Sequence, residues 1–294
     1  MYVIGKENIR FAFDPAAAPV LTVESGATVR FHTQDCYAEQ IDADGKDFAL
    51  LDMTRNNPVT GPLFVTGAEA GDVLKVEVLD IVPEDHGVMC LRPSRGLYDV
   101  AGCHCRRFPL REGKAIFDHG LEIPLRPMIG VIGTCPAEGG DTKTPGPNGG
   151  NMDIRDLGPG STVYLPVSVP GALLSIGDCH ARQGDGETAI CGLEVSAAVT
   201  VRVSVCWEAG NIPTPFIETS EAVYTVWAAP TLDEAGETAA RRMHRYLTET
   251  TRLTDAQAAM LLSLVGDLRI SQVVNPRRGC VMRFPKEYLD RIRG

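Results

Sequence analysis

Apolar and polar residues alternate with a period of two along most of this chain. From PVLTVESGATVRFHTQD, residues 19–35, onward, short runs of Val, Thr, Phe and Leu alternate with Glu, Arg and Thr and are cut by Gly, Pro and Asp. That is the signature of half-buried strands. GPLFVTGAEAGDVLKVEVLDIVP repeats it: Gly61-Pro62 and Gly71-Asp72 read as turns, and Val73, Val76, Val78 and Ile81 share a strand with an irregularity between 73 and 76. In AICGLEVSAAVTVRVSVCW, Val195, Ala197, Val199, Val201, Val203 and Val205 face one way, against Ser196, Thr200, Arg202 and Ser204. A strand of that length spans a large sheet or curls between two.

The pattern changes twice. Residues 134–162, TCPAEGGDTKTPGPNGGNMDIRDLGPGST, hold too many Gly and Pro for a helix and read either as a linker or as an ordered loop carrying functional groups over a pocket. Helices appear only late. Thr231 with Glu234, and Thr254 with Gln257, look like capping boxes, and Ala239, Met243, Tyr246 and Leu247 form one apolar stripe. Residues 267–285 return to β, with a turn at Pro276 to Gly279. The predicted fold is mainly β in the α+β class: large twisted sheets in a sandwich or barrel-like core with a late helical hairpin. It reads as one domain over residues 1–294, with packed halves 1–130 and 131–294 as the alternative.

Charge narrows the partners. Lys plus Arg number 28 against 38 Asp plus Glu, a net charge of −10 with no basic block, which argues against nucleic acid and anionic membranes. The first residues carry Lys6, Glu7, Arg10 and Asp14 where a signal peptide needs an apolar run, and no stretch approaches 18 apolar residues, so a soluble, cytoplasmic protein is expected. Nine cysteines without a repeated C-x-x-C unit read as free buried thiols, and Cys103-His104-Cys105 lacks the second pair of a zinc finger.

Chemistry concentrates in GDCHARQGDGE, residues 177–187. Two apart on a strand, Asp178 and His180 face the same side, and a carboxylate beside an imidazole is half of a divalent metal site. Gly184, Asp185 and Gly186 bend the chain back so that Glu187 returns to the same pocket; Asp185 itself reads as a turn hydrogen bond. His32, Asp35, Glu39 and Gln40 follow an early strand, and Asn151 and Asp153 lie two apart in the long loop. Each group is also compatible with a solvated turn.

Three longer stretches, NNPVTGPLFVTGAEAGDVLKVEVLDI, GGNMDIRDLGPGSTVYLPVSVPGALLSIGDCHARQGDGE and GDLRISQVVNP, resemble the acetamidase/formamidase family, in its order and over nearly the whole chain. The resemblance implies a mainly β homodimer or homotetramer that hydrolyses short aliphatic amides to carboxylate and ammonia with a divalent ion, zinc or calcium. It points to Asp35, Gln40, Asn151, Asp153, Asp178, His180, Gln183 and Glu187. Asp178 and His180, with Asp35 and Asp153, are the expected metal ligands; Glu187 is the expected proton shuttle, and Gln183 or Asn151 the oxyanion donor. Glu39 stands where the family has glycine, which would add a carboxylate beside the metal or narrow the pocket. A thiol route through Cys36 or Cys179 finds few lysines near the motifs, and alternation turns Cys179 away from Asp178 and His180; Ser175 lacks the Gly-x-Ser-x-Gly elbow. Outside amide hydrolysis, the same carboxylates fit a non-catalytic protein that binds a small molecule around structural calcium.

Overall fold

The computed structural model describes residues 1–207 and 210–293. The alternating segments pair into two large sheets. In the nine-stranded sheet the order is Tyr2–Ile4, Thr28–Thr33, Ala197–Cys206, Val73–Pro83, Thr162–Pro166, Phe216–Glu218, Ala222–Ala229, Arg278–Pro285, Asp267–Gln272. The eleven-stranded sheet centres on Leu174–Arg182, flanked by Leu193–Val195, Met128–Gly133 and Val59–Val65. Val29, Phe31 and Val201 from the first sheet meet Leu63, Ile132 and Ile176 from the second in one apolar core, all buried. Each such side chain contributes about 1.5–3 kcal/mol by leaving water. The mainly β architecture follows from this period-two burial.

The long apolar run changes sheets. Leu193–Val195 pairs in the eleven-stranded sheet and Ala197–Cys206 in the nine-stranded one, with Ser196 between them. Ala197, Val199, Val201, Val203 and Val205 are all buried, as their alternation predicts. On Val73–Pro83 the irregularity lies elsewhere than expected. Pairing jumps from Val78↔Val201 to Asp80↔Thr200, so the extra residue is the exposed Leu79. Leu74 takes the inward place assigned to Val73, and the bulge turns Ile81 back into the core. Gly61-Pro62, read as a turn, sits inside strand Val59–Val65, opposite a shift of register on Leu174–Arg182.

Residues 134–162 form an ordered loop. Gly140–Asp141 pairs with Ala12–Phe13, Gly149–Asn151 with Met128–Gly133, and Met152, Ile154 and Leu157 are buried beneath it. Helices α1, Leu232–Thr250, and α2, Asp255–Val265, form the late hairpin. Thr231 caps α1 by accepting from the Glu234 amide, and Thr254 with Gln257 makes the full reciprocal box on α2. Ala239, Met243, Tyr246 and Leu247 pack on Val223, Met282 and Phe284 in a second core at one end of the nine-stranded sheet. A third helix, α3, Lys286–Arg293, was not expected; it buries Leu289. No helix among the described residues is long and apolar enough to cross a membrane.

One expectation about the cysteines is corrected. Cys90 and Cys105 lie opposite each other on strands His86–Leu91 and His104–Arg111 and are joined by a disulfide. Cys36, Cys103, Cys135, Cys179, Cys191, Cys206 and Cys280 are free.

Candidate active site

Strand Leu174–Arg182 is buried through Ala181, yet it carries Asp178 and His180. The strand does not run straight through them: Asp178 has φ of 50°, and its neighbour across the ladder, Gly130, is skipped by the pairing. Asp153 and Glu187 also take left-handed conformations, with φ of 48° and 46°. Each costs of order 1–3 kcal/mol for a residue with a Cβ, and such strain collects where function holds it. Two glycines make the room. A Cβ on Gly130 would stand 2.5 Å from Asp153 Oδ1, and one on Gly192 would stand 2.5 Å from His180 Nδ1.

These bends bring the charged groups together. His180 Nε2 lies 3.1 Å from Glu194 Oε2, 3.6 Å from Asp178 Oδ1 and 3.9 Å from Asp153 Oδ1, and His180 and all three carboxylates are buried. Two sets, Asp153 with His180 and Glu187, and Cys36 with Asp178 and Glu194, each offer ligand atoms within 4.8 Å of one another. Gln183 Oε1 lies 2.7 Å from His180 Nδ1, while its Nε2 donates to the carbonyls of Asp153 and Ser271 at 2.9 and 3.3 Å. With its amide hydrogens spent there, Gln183 can only accept from His180. Nδ1 therefore carries a proton, and Nε2 points into the carboxylates as a potential ligand once it is deprotonated.

Asparagines hold the acids in place. Asn57 Nδ2 donates to Asp178 Oδ2 at 3.2 Å, and Asn275 Nδ2 donates to Asp153 Oδ2 at 2.6 Å. The amide of Asn151 lies between them. With its nitrogen toward the acids it donates to Asp178 Oδ2 at 2.9 Å and to Asp153 Oδ2 at 3.1 Å, while its oxygen accepts from Asn57 and Asn275.

Burial dominates the electrostatics. It raises Asp153 to about 6, with the Asp178 charge adding to the effect, and Glu194 to about 8 against the opposing pull of His180. Glu187 rises well above the usual carboxylate range through burial and then Asp153. Burial opposes charge on His180, but Glu194 and Asp178 outweigh it and push the imidazole up. His180 Nε2, Glu187 Oε2 and Glu194 Oε2 are buried without a well-aligned hydrogen bond among the described residues, and Nε2 and Glu194 Oε2 face each other at 3.1 Å. Protein groups alone leave this centre unsatisfied, and a divalent cation fits it.

Other groups singled out in the sequence lie apart. Asp35 Oδ1 accepts from the amides of Tyr37 and Glu39, so its carboxylate caps a turn and belongs to neither ligand set. Burial raises it to about 6. Gln40 spends its amide on Tyr37 O, Asp52 O and Asp52 N. Glu39 pairs with Lys6 at 2.7 Å and accepts from Ser196 Oγ, so it neither joins the acids nor narrows their pocket. Asp185, read as a turn residue, instead forms ion pairs with Arg155 and Arg269. Cys179 turns toward Thr33, and burial lifts its thiol to about 12. Glu194, Asn57 and Asn275 were missed as site residues, although the two asparagines stand in the quoted motifs, each directly before or within one residue of a proline.

A cavity of about 230 Å³ opens onto the cluster, with Asn151, Asp178, Glu187 and Glu194 in its wall. Residues 5–139 and 87–291 match the model of the Acetamidase/Formamidase family. The crystal structure of an acetamidase from Bacillus halodurans is 41% identical, covers 99% of each chain and superposes with a TM-score of 0.96. A formamidase of Methylophilus methylotrophus is 26% identical over 78% of this chain and 74% of its own length. An acetamidase of Mycolicibacterium smegmatis is 28% identical over 65% of this chain. The matched region spans just under two thirds of that protein, 63%, and 64% of a Schizosaccharomyces pombe relative.

Proposed function

Because the chain belongs to the Acetamidase/Formamidase family, we propose that it hydrolyses a small linear amide to carboxylate and ammonia at the acidic cluster, with divalent metal bound there. The observation that carries this reading is His180 Nε2: buried, turned toward the acids while Gln183 occupies Nδ1, and within 3.9 Å of three carboxylates. Asp153 and His180 would hold one ion with the Glu187 carboxylate beside it, and Asp178, Glu194 and Cys36 would hold a second. Nitrogen and sulfur donors favour zinc over calcium, which takes six to eight oxygens. A divalent ion in such a site polarises the amide carbonyl and lowers the pKa of water toward 7.

The chain's own groups divide the remaining work. Glu187 Oε1 accepts from the Gly192 amide at 3.1 Å, which leaves Oε2 unpartnered, and the residue lines the cavity. It is placed to take a proton from water and return it to the departing nitrogen. Gln183 and Asn151 become positioning residues in this reading. Gln183 sets the tautomer of His180, and Asn151 spaces Asp153 from Asp178. Thiolate attack by Cys36 is disfavoured, since burial and then the charges of Glu194 and Asp178 raise its thiol well above the ordinary value.

Assembly and location belong to the same reading. Met260 and Leu264 on α2, with Leu268 and Ile270 on the edge strand Asp267–Gln272, leave apolar side chains exposed, which supports a homo-oligomer. Five buried free thiols support a cytoplasmic site of action, and the Cys90–Cys105 disulfide counts the other way. Metal analysis paired with ammonia release from formamide, acetamide and propionamide tests the central claim: zinc-dependent release is expected. Bound calcium with no release, even after metal exchange, would replace it with the binding-protein alternative. Light scattering that gives 31.7 kDa at micromolar concentrations would exclude the oligomer.

A further inference from the structure

The cavity over the acidic cluster is also lined by cations. Arg92, Arg95 and Lys143 share it with Asp178, Glu187 and Glu194, Arg95 from an exposed turn and the other two half-buried. Their placement is built into the fold. Arg95 N donates to Arg92 O at 3.3 Å, closing a turn just beyond strand His86–Leu91. The Leu97 amide donates to Thr188 O at 2.8 Å, and Tyr98 Oη lies 3.1 Å from Thr188 Oγ1. This turn is therefore tied to the segment that carries Glu187. Lys143 follows Thr142, whose hydroxyl donates to Asn57 O at 2.6 Å, so the same loop that supplies Asn151 and Asp153 presents the lysine.

These cations lack counter-ions. Among the described residues none of the three has a carboxylate oxygen within 4.0 Å, whereas Arg106, Arg126, Arg269 and Arg283 are all paired. Arg92 Nε is buried with no hydrogen-bond partner, and its guanidinium lies 4.7 Å over the Phe48 ring. Lys143 Nζ reaches only the Met53 carbonyl, at 3.5 Å. The buried acids do not balance them once metal is present. Asp153, Asp178, Glu187 and Glu194 carry at most four negative charges, five with a Cys36 thiolate, so one divalent ion on the carboxylates leaves two and two ions leave at most one, against three cations lining the same cavity. A neutral amide such as formamide would offer a guanidinium one carbonyl acceptor and no compensating charge. A carboxylate would pair with them through charge-assisted hydrogen bonds.

We propose that the substrate is a short aliphatic amide that itself carries a carboxylate, the half-amide of a dicarboxylic acid, with its anionic end held by Arg92, Arg95 and Lys143 and its amide facing the acidic cluster. This rests on the amidase reading and names its substrate class. The cavity, at about 230 Å³, lies below the usual ~300–1,000 Å³ of small-molecule sites, which suits a chain of a few carbons.

The test compares malonamate and succinamate with acetamide and butyramide on the full-length protein at fixed ionic strength, with metal content measured. The anionic amides should show kcat/KM at least about tenfold above the neutral ones. In Arg92→Gln and Arg95→Gln that ratio should collapse by roughly 10- to 100-fold, and Arg95→Lys should recover part of it. A ratio is read because a merely structural defect lowers both substrate classes together. Neutral amides preferred by the wild type, or a ratio unmoved in both Gln variants, would overturn the proposal. If no amide of either class releases ammonia, the amidase reading fails separately, and calorimetry with succinate and butyrate then decides the anion site. Succinate binding that Arg95→Gln removes, with butyrate binding weaker, supports it; equal binding of the two, or none, sinks it.

Discussion

The helical end of the molecule and the acidic centre treat the same physical rules in opposite ways. At the helical end the local signals agree with the fold: Thr231 and Thr254 cap, Ala239, Met243 and Leu247 form one stripe, and that stripe is fully buried. At the centre the rules are broken together. Charged groups are buried, Asp153, Asp178 and Glu187 adopt left-handed backbones, and three polar atoms lack a well-aligned hydrogen bond. Consistency marks what holds the fold, and concentrated violation marks what the fold is for.

Substitutions at the two places should therefore fail differently. The largest effect is expected from His180→Ala, which should lose both metal and activity while the protein stays folded; normal metal content and turnover would remove His180 from the ligand set. Next comes Glu187→Gln. Metal should be retained while turnover falls by roughly 10² to 10⁴. Depleted metal would make Glu187 a ligand only, and near-normal turnover would exclude it as the shuttle. The same variant sharpens the contrast when melted with a chelator present. Removing one of four crowded carboxylates should leave its Tm at or above that of the chelated wild type, because the acids repel one another.

At the helical end the sign reverses. Met243→Ala should cost about 2–5 kcal/mol in chemical denaturation by leaving a cavity against Met282 and Phe284, with kcat/KM unchanged below the melting range. A change in substrate kinetics there would break the separation between the two regions. Smallest is Thr254→Ala, which deletes the α2 cap and should cost about 1 kcal/mol, again without touching turnover.

The same contrast explains what was legible in the sequence. Caps and alternation are local, so the helical hairpin and the face of Ala197–Cys206 could be read directly. Asp178, His180 and Glu187 were legible as a group because a glycine-rich turn joins them within ten residues. Glu194 was not, since a single acid in an apolar strand becomes a site residue only when the partner strand brings His180 beside it. Asp35 shows the converse: its amide partners at 37 and 39 are local, so one carboxylate oxygen serves a turn that the sequence does not announce. The Cys90–Cys105 link depends on strand register, which composition does not reveal.

The bond from Asn275 to Asp153 joins residues 122 apart, and it bears on the order of events during synthesis. At about 5–20 residues per second, a ribosome needs roughly 6 to 24 seconds to go from one to the other. Throughout that interval the acids of the long loop and of strand Leu174–Arg182 exist without the amide that steadies Asp153. On the proposed metal reading, the nascent chain offers cations only loose carboxylates, and tight capture waits until the last strands are made.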